Sequence, residues 1–147
     1  MNQARAKKRI LFVDDEPAIL AGLRNVFRRD RERWDMTFVN GGDAALAALA
    51  TCRFDAVVSD MRMPGMCGVT LLEQVKQSSP ATIRIMLSGS ADQLEVEIAT
   101  AAVHELLSKP CDSNTLRMTI ERLLADAEAE GSGVPPVART ELGELWS

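Results

Sequence analysis

Five side chains with chemical capacity sit directly behind apolar runs in this chain of 147 residues. "ILFV" leads into Asp14 and Asp15, "FDAVVS" into Asp60, "TIRIML" into Ser88 and "HELLS" into Lys109. Adjacent carboxylates repel, and burial at the end of an apolar strand raises the cost. A cation relieves both. All-oxygen ligands with few carboxylates suit Mg²⁺, which keeps several waters and often meets a phosphoryl group. Each residue alone has an ordinary explanation. Acids after strands serve in turns and helix caps, Asp60 precedes the turn-forming Pro64-Gly65, Ser88 precedes Gly89, and lysines are usually solvated. The case rests on their arrival at one place.

What would bring them there is a regular alternation of short apolar runs and longer amphipathic ones. Strands are expected at Arg9–Val13, Met36–Asn40, Phe54–Asp60, Thr82–Gly89 and His104–Pro110. Pro17 suits the first turn of a helix, with Ile19, Leu20, Leu23, Val26 and Phe27 at helical spacing through Arg29. Further helices are expected over "GGDAALAALATC", Val69–Gln77 and Ala91–Ala102. A last one runs from a cap at Asp112 or Ser113 to about Glu130, with Leu116, Ile120, Leu123 and Leu124 as its core stripe. Five β-then-α units imply a parallel sheet with helices on both faces and right-handed crossovers. In such sheets ligands bind outside the carboxyl ends of the strands, where the five residues fall.

Composition bounds the rest. Hydrophobic residues make up 46% and charged residues 26%, as in an ordinary globular domain. A net charge of −4 gives no electrostatic reason to expect nucleic-acid contact. The basic start "MNQARAKKR" is followed by too short an apolar run for a signal peptide, which needs roughly 7–15 residues. No segment approaches the ~20 apolar residues of a membrane span. Cys52, Cys67 and Cys111 lack metal or disulfide spacing and read as reduced thiols of a cytoplasmic protein. His104, the single histidine, reads as a surface or strand-edge residue. There are no internal repeats. Residues 1–8 read as a tail, 9–130 as one domain, and 131–147 as a Gly/Pro-rich linker and tail, or a short docking segment ending in Trp146.

Taken together and in order, "ILFVDDEP", "DAVVSDMRMPGMCG", "IMLSG" and "LLSKP" resemble the receiver domain of two-component response regulators, from about Arg9 to Ala127. The resemblance implies a flavodoxin-like (βα)₅ fold with sheet order 2-1-3-4-5. It implies that Asp60 takes a phosphoryl group from a histidine kinase or phosphotransfer protein. Asp14 and Asp15 would hold Mg²⁺ together with Asp60 and the backbone carbonyl of Arg62. Ser88 and Lys109 would each engage a phosphoryl oxygen, and the Lys109–Pro110 peptide would be cis. Signalling would then alter the surface of helix four, strand five and helix five, which would bind an unknown output partner or a second copy.

Two positions depart from the family pattern. Leu106 stands where an aromatic usually couples to the hydroxyl, and Cys67 stands where an acid is common. A looser resemblance to receivers that precede HD-type output domains leaves two forms open: a single-domain regulator, or a receiver from a longer protein. Two other functions compete. An Asp-nucleophile, Mg²⁺-dependent phosphatase also forms an aspartyl phosphate, but its DxD motif is missing from "VDDEP". An interaction scaffold that is never phosphorylated would have no use for the intact acidic, hydroxyl and lysine set.

Overall fold

The computed structural model describes residues 7–90 and 92–131. Five strands, β1 (Lys8–Asp14), β2 (Trp34–Asn40), β3 (Ala56–Asp60), β4 (Ile83–Ser88) and β5 (Glu105–Ser108), form one parallel sheet in the order β2-β1-β3-β4-β5. Between and after them run α1 (Pro17–Val26), α2 (Gly42–Thr51), α3 (Gly68–Ser78), α4 (Gln93–Ala102) and α5 (Ser113–Gly131), with a short 3₁₀ turn at Arg28–Asp30. This is the flavodoxin-like order anticipated from the resemblance.

The pleat divides β1 between two cores. Ile10 and Phe12 face Phe27, Leu116, Ile120, Leu123 and Leu124 on the α1/α5 side. Leu11 and Val13 face Ala45, Leu71, Leu72, Val75, Ala99 and Ala102 on the α2/α3/α4 side. Alternate side chains of a strand point to opposite faces, so a central strand covered by helices on both sides must be apolar throughout. The continuous run "ILFV" reflects that demand, and its four residues are at most 2% exposed.

Several boundaries differ from the expected ones. β2 begins at Trp34 rather than Met36, because Trp34 and Asp35 pair with Lys8 and Arg9 in register. α1 stops at Val26 instead of Arg29: Phe27 leaves helical geometry (φ −95°, ψ 5°) and the chain tightens into the 3₁₀ turn. That turn buries Asp30 against Arg117 of α5, with Oδ2 3.0 Å from Nε, and Arg33 shares the other carboxylate oxygen. α4 starts at Gln93, where Asp92 caps it by accepting from the Glu95 N–H at 3.0 Å. β5 is shorter than His104–Pro110. His104 instead donates its N–H to the Arg84 carbonyl, while its Nδ1 accepts the Arg84 N–H at 2.9 Å. Gly131, assigned to the linker by composition, is the last residue of α5, and the tail reading of 132–147 lies outside the described residues.

Candidate functional site

Register brings the polar residues to one level. Val13 pairs with Ser59, so Asp14 and Asp60 follow side by side at the ends of β1 and β3. Asp60 pairs with Leu87, and Ser88 with Ser108, so Ser88 and Lys109 lie one step beyond on β4 and the end of β5. Two backbone hydrogen bonds extend this ladder past the strands: Met61 N–H to Leu87 at 3.0 Å, and Lys109 N–H to Ser88 at 2.8 Å. The Lys109–Pro110 peptide is cis, as the resemblance implied.

Carboxylate oxygens of Asp14, Asp15 and Asp60 come within 4.8 Å of one another. Asp14 and Asp60 are buried at 4% and 8% exposure, and Asp15 is half-buried at the mouth. Burial pushes the Asp14 carboxyl above its usual range; the Glu16 N–H bonded to its Oδ1 opposes this, while the neighbouring Asp60 adds to it. Lys109 Nζ sits 2.5 Å from Asp60 Oδ1. One ammonium thus faces three acids, which leaves the pocket short of positive charge. Hard oxygen donors, two of them buried and mutually repelling, fit a small divalent cation. The Arg62 carbonyl lies on the loop immediately after Asp60, and the Arg62 side chain turns away to Glu95 Oε1 at 2.5 Å.

Ser88 is buried, and its hydroxyl has a weak partner. Oγ lies 3.3 Å from the Met61 sulfur, a poor acceptor, while the same Oγ accepts the Ser90 N–H at 3.0 Å. A better acceptor beside Asp60 would therefore draw the hydroxyl proton at little cost.

Residue types alone did not reveal how closely the loop after β3 is packed. Gly68 donates its N–H to Met61 O at 2.8 Å, and a Cβ there would lie 2.2 Å from the Asp60 carbonyl oxygen. Only glycine lets α3 begin against the backbone of the acidic residue. The second glycine of "MPGMCG" was the available signal. Leu106 is partly buried against the α2/α3/α4 core, so the position that departs from the family pattern is a packing position. Cys67 precedes α3 and is exposed; hydrogen bonding with Thr70 chiefly lowers its thiol pKa.

The sequence profile of the response regulator receiver domain matches residues 10–121. The chain belongs to this family. It is similar to the transcriptional regulatory protein FixJ of Bradyrhizobium diazoefficiens, with 34% identity over 92% of this chain and 62% of FixJ. It is 31% identical to ZraR of Salmonella typhimurium over 97% of this chain and 32% of ZraR. The chain therefore spans 32% of ZraR and 62% of FixJ, less than two thirds of either relative. Among solved structures, a CheY-like receiver from Methanospirillum hungatei superposes with a TM-score of 0.79 at 27% identity, covering 85% of this chain and 99% of that one. The response regulator TrrA of Thermotoga maritima, solved in complex with Mg(2+)-BeF, gives 0.70 at 25% identity, covering 79% and 98%. The protein is thus a receiver domain of two-component signalling. Among its described residues no helix is long and apolar enough to cross a membrane.

Proposed function

We propose that this receiver accepts a phosphoryl group on Asp60 from a phosphohistidine of a kinase or phosphotransfer protein, and that the modified site alters a docking surface. The observation that carries this reading is the meeting of Asp14, Asp15 and Asp60 oxygens within 4.8 Å beside Lys109. A carboxylate attacks phosphorus when its charge is compensated and the approach is in line. Asp14, Asp15, Asp60 and the Arg62 carbonyl would hold Mg²⁺. Bound there, the ion would neutralise the acids and the incoming phosphoryl oxygens. Lys109, already on Asp60, would remain with a phosphoryl oxygen. The Asp60 oxygen forms the new bond to phosphorus, and the phosphohistidine nitrogen leaves with the electron pair.

The product carries about −1.5 to −2 charge. Ser88 would turn its hydroxyl from the Met61 sulfur to a phosphoryl oxygen and shift the loop behind it, biasing the α4–β5–α5 surface. That surface would engage an output partner or a second copy of the chain, in the cytoplasm and without contact to nucleic acid by this domain. The domain would signal rather than turn over a metabolite.

Incubation with acetyl phosphate and Mg²⁺, followed by intact mass measurement, tests the chemistry. One phosphoryl group should appear on the wild type and none on Asp60→Asn. Lys109→Ala should retain some labelling but lose the response of α4. Equal labelling of Asp60→Asn would move the acceptor elsewhere, with Asp14 the next candidate.

A further inference from the structure

A chain of hydrogen bonds runs from Ser88 to the side chain of Arg62, on the loop that follows Asp60. The Ser90 N–H is donated to Ser88 Oγ at 3.0 Å. Ser90 Oγ donates to Glu95 Oε1 at 2.6 Å, and that same oxygen accepts from Arg62 at 2.5 Å. Arg62 lies two residues beyond Asp60. The four residues therefore form a belt from the end of β4 through the first turn of α4 to the loop after β3.

The start of α4 is built around this belt. Asp92 and Glu95 have capping-box spacing, in which the second acid ordinarily reaches back to the backbone N–H of the first. Here Ser90 Oγ takes that role, accepting the Asp92 N–H at 3.0 Å. The Glu95 carboxylate is freed for Arg62, so the position of the first turn of α4 depends on Ser90 and Arg62 together.

We propose that Glu95 is the positioning residue that couples the state of Asp60 to α4, in the place where Leu106 provides no aromatic switch. The coupling rests on the assignment of Asp60 as phosphoacceptor. A phosphoryl group acts on the Ser88 end of the belt. It draws the Ser88 hydroxyl inward, away from the Ser90 N–H. Ser90 loses its anchor, its hydroxyl no longer fixes Glu95 beside Arg62, and the first turn of α4 loosens. The exposed pair contributes little to overall stability, which suits a contact made to be broken.

Amide exchange of the full chain, with labelling followed by intact mass, separates the possibilities. In the wild type, acetyl phosphate with Mg²⁺ should speed exchange at the start of α4, residues 93–97. Glu95→Ala should show that faster exchange before any phosphoryl donor is added, by about threefold, the size expected on removing an exposed pair. Phosphorylation should then add little more, although Glu95→Ala still takes up one phosphoryl group. Glu95→Gln keeps an acceptor for Ser90 but loses the charge, and should fall between the two. Arg62→Gln should raise the unphosphorylated exchange rate in the same residues. A labelled Glu95→Ala that responds at α4 as fully as the wild type would overturn the relay while leaving Asp60 as acceptor. A wild type that takes up no phosphoryl group would overturn both.

Discussion

Lys109 Nζ rests 2.5 Å from Asp60 Oδ1, so the ammonium already occupies the acid proposed as nucleophile. It compensates one charge of three. Asp14, whose carboxyl burial holds above its usual range, and Asp15 retain their mutual repulsion across the pocket. The folded domain thus carries an electrostatic cost at its site that a divalent cation would relieve.

Mg²⁺ should therefore stabilise the wild type. At about ten times its Kd the gain is about 1.4 kcal/mol by linkage. Asp15→Ala, altered at the half-buried mouth, should fold but lose most of that gain. Thermal melts with and without Mg²⁺ measure it, and an equal rise in both proteins would place the ion elsewhere.

Gly68→Ala should damage the site without touching a charged group. The added methyl would meet the Asp60 carbonyl at 2.2 Å, so backbone must move. Overpacking of this kind costs about 1–3 kcal/mol. Because the displaced residue is the proposed nucleophile, the initial labelling rate should fall more than stability does. Wild-type labelling kinetics in Gly68→Ala would show that the loop accommodates the methyl freely.

Asp30→Ala tests the buried pair that joins the turn after α1 to α5. Asp30 is 4% exposed and Arg117 7%. Loss of the acid strands a buried guanidinium at a cost of about 3–5 kcal/mol. Arg117 also donates to Val26 O at 2.9 Å, which favours the lower end. Urea unfolding reads the difference, and phosphoryl uptake at low temperature should be unaffected. A loss below about 1 kcal/mol would mean that Arg117 is compensated without the acid.

His104 should make stability depend on mildly acidic pH. The residue as a whole is exposed, but its Nδ1 is turned inward to accept the Arg84 N–H, so a proton there would displace that bond. Burial, with the charges of Arg84 and Lys76 nearby, lowers the imidazole pKa from 6.5 to about 4. The unfolded chain then binds the proton more readily than the folded one. The contribution is complete above pH 6.5 and is lost as the pH falls from there toward 4. His104→Gln, which cannot take up a proton, should lose less stability than wild type between pH 7 and 5. Parallel losses would show that the imidazole titrates freely in the folded protein.

Much of this was legible in residue order. "ILFV" and "AVV" are continuous apolar runs because strands covered on both faces require them, "IRIML" is interrupted only by Arg84, and five short apolar segments alternating with amphipathic ones specify a parallel sheet. The carboxyl ends of parallel strands share one edge, so the sequence alone placed Asp14, Asp15, Asp60, Ser88 and Lys109 together. Tertiary structure decided what sequence periodicity does not encode. That Trp34 and Asp35 extend β2 depends on a partner strand more than twenty residues away. That Asp30 is buried, and α1 therefore short, depends on Arg117 at the far end of the chain. The belt from buried Ser88 to the loop after β3 runs through Ser90, Glu95 and Arg62, which read singly are ordinary polar residues. Backbone periodicity is a local property and can be read along the chain. Hydrogen bonds between polar side chains of different elements form only after the sheet has set the distance between their ends.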